Sequence, residues 1–497
     1  MTDTAAALAP LVEQRGWSTA TGHLLGWSLL VVGGGQVLSG AVGELKGDGD
    51  ALTMVACGVF VAAAGAALVR ATTVPARIRS GTAFGAVTIL WLAVCLVGAV
   101  PFWAAGVFAH WDEAIFESVS GFTATGGTVL SDIEAQGASI LFWRQVTQWI
   151  GSIGFVVLAL SVLPLLGVGG MELLRAETPG PDSDRLAPRV SDTTRRLSGI
   201  YVGLTALAAG GFLLAGMDLF DAVGHAMTAI ATGGFSPYNN SLGHFDSLAV
   251  ELVAVAAMFL GAVNFALFFH ALRGRDVRVF WRSGEFRFFV GVTVASVAFV
   301  STVLSLDGYG SHSVRDATFN VVSLVSTTGF GTVDFTRWVP SAQLVLLALM
   351  ITGGMAGSTS GALKLFRIRV VVAAAARELR RVRHPRGVFA IRNDGRSIDE
   401  AIVSNVIGYV MLYFLVCVAG VVALAALDVD LVTGAGSVIT AMGGVGPGLA
   451  ETGPASNFLT VSRPARGVLD ALMLLGRLEI IPVFLALRAA TRFRRAG

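Results

Sequence analysis

The chain has 497 residues, 54% of them hydrophobic and 14% charged, with a formal net charge of +2. An average soluble domain is roughly 25% charged, so this composition excludes one and describes a polytopic membrane protein. The small net charge gives no support to nucleic-acid binding.

The N-terminal MTDTAAALAPLVEQRGW lacks the basic region, apolar region and cleavage site of a secretory signal, so the first apolar run is expected to be a retained span. About 20 apolar residues cross a bilayer as a helix. Such runs lie near 23–42, 51–70, 83–108, 140–168, 197–218, 248–272, 287–306, 341–370, 402–427 and 467–490, which predicts ten spans. Of the 35 Lys and Arg, 28 fall at Arg15, in the loop with Arg70, Arg77 and Arg79, in 171–196, 273–287 and 364–396, and in the C-terminal segment. Lys46, Arg315, Arg337, Arg463 and Arg466 fall in the connections on the other side. Cations are retained on the cytoplasmic side, so both termini are predicted there. Arg144, near the start of its span, reads as a side chain that snorkels outward.

Four outward-facing connections share one pattern, an apolar stretch too short to span followed by a Thr/Gly-rich turn and a polar tail. They are FESVSGFTATGGTVL at 116–130, GHAMTAIATGGFSPYNNS at 224–241, FNVVSLVSTTGFGTVDF at 319–335 and GSVITAMGGVGPGLAE at 436–451. Aligning the turns places Gly126, Gly233, Gly329 and Gly446 in equivalent positions, 107, 96 and 117 residues apart. That period fits one helix, one re-entrant segment and one more helix. A short helix dipping inward from the outer surface aims its carbonyls and the negative end of its dipole at the membrane interior. The return strand is tolerated at that depth only beside protein or a water-filled path. Four such ends around one axis attract a cation, and glycine keeps side chains off the axis so that backbone carbonyls can replace a hydration shell. The predicted filter residues are Thr125 with Gly126, Thr232 with Gly233, Thr328 with Gly329, and Val445 with Gly446. The expected fold is all-α, with four helix-pore-helix repeats around one ion path behind two extra transmembrane helices. Its segments are a helix pair at 1–80 and units at 81–175, 176–275, 276–396 and 397–497.

These turns, with WRQVTQWIGSIGFVVLALSVLP at 143–164, TPGPDSDRLAPRVSDT at 178–193, GGMAGSTSGALKLFR at 353–367 and GRLEI at 476–480, make the chain resemble the Trk-type potassium uptake proteins, the TrkH/KtrB family. The resemblance implies K+ uptake across the bacterial cytoplasmic membrane, K+ bound at Gly126, Gly233, Gly329 and Gly446, a homodimer, and control by a cytosolic TrkA-like nucleotide-binding ring. It implies no organic cofactor. The chain departs from the family in Met442, Gly443 and Gly444, where asparagines are common, and in Ala124, where threonine is usual. A Na+- or H+-coupled secondary carrier, with ion sites at discontinuous helices, is the alternative reading.

The glycine-rich interruption Gly353, Gly354, Gly357, Ser358, Thr359, Ser360 and Gly361 cannot hold a continuous helix, since each glycine costs about 1 kcal/mol against alanine. Two readings stand, an intramembrane gate across the ion path or close helix packing through small residues; the phosphate-loop reading fails because no Gly-Lys-Ser/Thr follows at the required spacing. Arg477 lies in an apolar run and either projects toward the pore as part of that gate or packs. Glu479, two residues on, is on the wrong face to pair with it. The basic segments 364–396, with Arg377, Arg380, Arg381, Arg383 and Arg386, and 273–287 read equally as partner-docking surfaces or as anchors to membrane lipid. The seven histidines show no metal spacing and are expected at surfaces or helix ends, and Cys57, Cys95 and Cys417 are expected to pack. No catalytic constellation is present, so the protein is expected not to be an enzyme.

Overall fold

The computed structural model describes residues 2–73, 80–161, 186–393, 396–480 and 483–484. Half of the motif at 178–193, the basic residues of 171–185 and the basic C-terminal tail lie outside them. Seventeen helices form among the described residues, with one two-stranded hairpin, Arg392–Asn393 against Arg396–Ser397.

Helices α1 (Thr2–Leu45) and α2 (Ala51–Ala71) form an antiparallel pair. Gly26, Gly33 and Gly40 recur every seven residues and face Gly65, Gly58 and Ala51; a methyl on Gly33 would lie 2.6 Å from the Gly58 carbonyl oxygen. Small residues let the two backbones touch, which replaces the hydrophobic drive that lipid does not supply.

One order of elements then recurs four times. Each time a long apolar helix leads into a short buried one and then into a third helix that is polar or broken. The long helices are α3 (Ser80–Ala104), α6 (Leu186–Leu214), α11 (Gly284–Leu306) and α15 (Glu400–Ala425). The short ones are α4 (Trp111–Phe122), α7 (Leu219–Ile230), α12 (Ser313–Val325) and α16 (Leu431–Gly443). At 12 or 13 residues they reach about 18–20 Å, short of the ~30 Å hydrocarbon layer. Their first turns are acidic or capped by acid: Asp112 and Glu113 in α4, the Asp218 cap of α7, Asp316 in α12 and the Asp430 cap of α16. That charge suits the positive end of the helix dipole.

Of the ten predicted spans, six are single helices apolar and long enough to cross a membrane: the described parts of α1, α2, α3, α6, α11 and α15. The other four are the third helices of the recurring order, and they depart from the expectation because they are either lined with inward polar groups or broken. Helix α5 (Ala138–Ser161) buries Arg144, Gln145, Thr147, Gln148 and Ser152. Helices α8 (Leu248–Gly261) and α9 (Phe265–Gly274) are bent by 94° at the 262–264 break. The run at 341–370 is α13 (Pro340–Thr352), a loop and α14 (Leu365–Arg383), with the short α10 (Arg278–Arg282) preceding α11. Helix α17 (Arg463–Leu478) ends at Glu479, where φ is +62°.

Candidate functional site

The short helices end alike. Beyond each lies a residue in the left-handed region, Ala124 (+53°), Thr232 (+54°), Thr327 (+60°) and Gly444 (+62°). The next amide bonds back five residues: Thr125 N to Ser120 O at 2.9 Å, Gly233 N to Thr228 O at 2.9 Å, Thr328 N to Ser323 O at 2.9 Å and Val445 N to Thr440 O at 3.1 Å. This is a Schellman-type end, but with Ala or Thr in three of the four places where glycine is usual. Each such residue is strained by about 1–2 kcal/mol, and strain of this sort is held only where surrounding structure over-determines it. A second left-handed residue follows each time: Gly126 (+86°), Gly234 (+78°), Gly329 (+81°) and Gly446 (+103°).

These glycines close a ring. A methyl on Gly126 would lie 2.1 Å from Gly233 O, on Gly234 2.0 Å from Thr328 O, on Gly329 1.8 Å from Val445 O, and on Gly446 3.0 Å from Thr125 O. Each turn therefore abuts the next in cyclic order, and the fourth abuts the first. The bonding pattern moves the second turn by one residue from the sequence alignment. Gly234, not Gly233, matches Gly126, Gly329 and Gly446, because Thr232 takes the first left-handed position and the Gly233-Gly234 pair offers two candidates for the second. Gly233 takes the place of Thr125, Thr328 and Val445.

Side chains behind the ring hold the strands. Ser120 Oγ donates to Gly127 O at 2.5 Å and Ser323 Oγ to Phe330 O at 2.7 Å. Thr123 bonds Thr125 and Ser326 bonds Thr328, hydroxyl to hydroxyl at 2.8 Å. Helix α5 reaches the second strand: Gln148 Nε2 donates to Gly233 O at 2.7 Å, and its Oε1 accepts from Phe235 N at 3.0 Å. Arg144 does not snorkel outward. It is 1% exposed, donates through Nε to Glu117 Oε1 at 2.7 Å and through Nη1 to Ser236 O at 2.9 Å, and lies over the Phe235 ring. His225, expected at a surface, is fully buried between Asp221 O (2.8 Å) and Ser236 Oγ (3.0 Å). The fourth turn is the least braced, with Thr440 Oγ1 buried and without a hydrogen-bond partner. Above the ring a cavity of about 180 Å³ opens, lined by ring glycines Gly126, Gly234, Gly329 and Gly446 together with Arg144 and the strand residues beyond them; among the described residues its lining includes no carboxylate.

On the opposite side, the loop between α13 and α14 crosses beneath the helix ends. Thr359 Oγ1 donates to Ile230 O and Gly261 O, both at 2.9 Å. Gly361 N donates to Thr327 Oγ1 at 2.8 Å, and a methyl on Gly361 would lie 2.1 Å from Gly443 O. Ser358 and Ser360 bond each other at 2.7 Å, and Lys364 Nζ donates to the carbonyls of Ser358 and Ser360. Arg477 joins the loop to the first unit: Nη1 donates to Thr359 O at 3.0 Å and Nη2 to Ser152 Oγ at 2.9 Å. Glu479 points away from it and pairs with Arg367 at 2.8 Å. Among the described residues no group of His, Cys, Asp and Glu stands ready for a metal ion.

Comparison with known proteins bears on the same site. The family described as TrkH, cation transport protein, matches residues 52–492. The chain belongs to the TrkH family. Its relatives include the Trk system potassium uptake protein TrkH of Escherichia coli K12, 39% identical over 413 residues that cover 81% of this chain and 84% of the relative. The TrkH of Vibrio parahaemolyticus is 38% identical over 419 residues, covering 83% and 86%. The crystal structure of the potassium transporter TrkH from Vibrio parahaemolyticus superposes with a TM-score of 0.86 at 33% identity, covering 94% of this chain and 98% of that one.

As a TrkH-family chain it is a membrane transport protein and not an enzyme. Within this TrkH-family fold Glu117, Arg144, Gln148 and His225 brace the strands beside the ring without any motif in the sequence that marks them. The polar residues Arg144, Gln148 and Ser152 are spaced four apart in one predicted span, which places them on one face. That stripe was the signal available for α5; nothing comparable flags Glu117 or His225.

Proposed function

We propose that this chain takes up K+ across the bacterial cytoplasmic membrane, the ion passing through the ring of four turns. The supporting observation is the closed cyclic contact of Gly126, Gly234, Gly329 and Gly446 with the neighbouring turns, which gathers four backbone segments and the negative ends of four short helices around one point. The Trk-type names of the relatives give the ion. The reading includes a helix pair at 1–80 and four units over 81–175, 176–275, 276–396 and 397–497, with both termini cytoplasmic. The filter then comprises Thr125, Gly126, Thr232, Gly233, Gly234, Thr328, Gly329, Val445 and Gly446. The gate comprises the 353–361 loop with Arg477. The test is growth of cells lacking their own K+ uptake on low-K+ medium, with the protein shown to be in the membrane and any required cytosolic partner supplied. Restored growth is expected; no restoration under those conditions overturns the reading.

In this reading Arg477, bonded to Thr359 O of the loop, is a fixed charge beside the ion path. At 4 Å a unit charge repels a cation by about 4 kcal/mol in a medium of effective dielectric 20. Arg477→Ala removes that barrier and the bond to Thr359 O, so K+ flux through membrane-inserted protein is expected to rise. Unchanged flux assigns Arg477 to packing.

The reading also includes a homodimer under control of a cytosolic nucleotide-binding ring. Arg380, Arg381, Arg383 and Arg386 are exposed and available for docking, whereas Arg377 is buried and bound to Glu400 at 2.6 Å. Neutralising those four exposed arginines is expected to weaken capture of such a partner in detergent; retained capture assigns them to lipid headgroups.

A further inference from the structure

The four units are alike in backbone and unlike behind it. Nine residues before each ring glycine the short helix carries one buried polar side chain, and the four residues are Glu117, His225, Asn320 and Ser437. His225 reaches Ser236 Oγ at 3.0 Å, and Ser437 reaches Thr452 Oγ1 at 2.9 Å. Asn320 bonds within its own helix, to Asp316 O at 2.9 Å. Among these positions Glu117 alone carries a carboxylate, and it is 1% exposed.

Its oxygens are fully used. Oε1 accepts from Arg144 Nε at 2.7 Å, Oε2 from Val129 N at 3.0 Å, and both from Thr128 Oγ1 at 2.9 and 3.0 Å. Through Arg144 Nη1 the same pair takes hold of Ser236 O at 2.9 Å. The strand leaving Gly126 and the strand leaving Gly234 are thus fixed to a single buried ion pair, one partner rooted in α4 and the other in α5. One helical turn along α5, Gln148 pins Gly233 O and Phe235 N. Charge-assisted bonds are shorter and stronger than neutral ones. A guanidinium also fixes direction through its planar fork, which an ammonium cannot do. A neutral, apolar corner packs at no desolvation cost, whereas an ion pair taken out of water must recover that cost through geometry. Here the geometry is spent on the spacing between two strands of the ring.

We propose that Glu117 and Arg144 are specificity-determining positioning residues: their ion pair sets the gap between the first and second filter strands and thereby the preference for K+ over the smaller Na+. This rests on the filter reading above. The pair acts through the strands it holds, in the way that outer partners of a metal ligand tune the site without touching the ion.

The experiment is K+ and Na+ uptake by the full-length protein in the membrane, read as a ratio, so that lower expression alone does not move it. Glu117→Gln and Arg144→Lys are expected to lower the K+/Na+ ratio roughly tenfold, the scale on which outer partners act on a bound metal. Glu117→Asp keeps the charge and withdraws it by one methylene; it is expected to reach the membrane and lower the ratio by a smaller step. Arg315→Gln breaks a comparable ion pair with Glu251 (2.8 Å) at the outer end of α12 and is expected to leave the ratio at the parental value. A parental ratio in membrane-inserted Glu117→Asp together with either of the other two variants overturns the proposal. A fall of the same size in Arg315→Gln also overturns it, because the effect is then not specific to this corner. A parent that shows no preference for K+ overturns the filter reading and carries this proposal with it, an outcome distinct from a selective parent with equally selective variants.

Discussion

Gly126→Ser is expected to lower the K+/Na+ uptake ratio by roughly 10- to 100-fold, the range over which displaced supports degrade an ion site. Two effects combine. At φ of +86° any L side chain is strained, by about 1–2 kcal/mol. The new Cβ would also stand 2.1 Å from Gly233 O, a backbone atom that Gln148 holds at 2.7 Å and that therefore cannot retreat. One of the two strands must move, and a carbonyl site distinguishes ions by where its oxygens sit and how far they can follow the ion. Gly234→Ser is expected to behave the same way, its Cβ meeting Thr328 O at 2.0 Å. Gly233→Ala, whose Cβ meets first the Gln148 side chain, at 2.4 Å, rather than backbone, is expected to have the smaller effect. Parental selectivity in Gly126→Ser removes this ring from the filter. An effect of Gly233→Ala larger than that of Gly234→Ser would return the second turn to the register first read from the sequence.

That register shows what the sequence displays and what it hides. Repetition of Thr and Gly at matching places in four connections makes the turns legible, because the chemistry of a sharp turn at that depth admits few residues. The register within ATGGF is not legible. It depends on Thr232 accepting a left-handed conformation, an unfavourable choice that only the surrounding structure enforces. The same contrast runs through the helices. Apolar length reveals α2, α3, α11 and α15, which face lipid on much of their surface, and it overstates the continuity of the runs at 248–272 and 341–370, which break at 262–264 and at 353–364. The 262–264 bend carries one glycine-free warning, Asn264, whose side chain caps α9 through Ala266 N at 2.8 Å, and hydropathy averages straight through it. Glu117 and Arg144 lie 27 residues apart and meet only because α4 and α5 pack together, so neither residue type nor spacing announces the pair.

Deleting Gly357 to Ser360 is expected to raise K+ flux and to reduce its dependence on a cytosolic partner. The loop is held beneath the helix ends by bonds that those four residues largely provide: Thr359 to Ile230 O and Gly261 O, Arg477 to Thr359 O, and Lys364 to the carbonyls of Ser358 and Ser360. Each bond is worth about 1 kcal/mol net, so removing several shifts the balance by a few kcal/mol, and every 1.4 kcal/mol is about tenfold. The neck should survive the deletion. Gly353 lies against Gly361, where a methyl would come within 2.7 Å of its carbonyl oxygen, and Leu363 N to Ile351 O (3.2 Å) with Leu365 N to Gly354 O (2.9 Å) tie the two arms together. One support of α9 is lost with Gly357, whose carbonyl accepts from Phe265 N at 3.0 Å, but the Asn264 cap remains. With the tip gone, the Thr359 bonds to the ends of α7 and α8 are lost, and so is the Arg477 bond to Thr359 O, while the bond from Arg477 to Ser152 stays. Flux is to be compared with the parent at equal amounts of membrane-inserted protein, with and without the partner. Flux that is unchanged or lower in the deletion variant means that the loop braces the helix ends without obstructing the ion, and the barrier to conduction then lies at another level of the path.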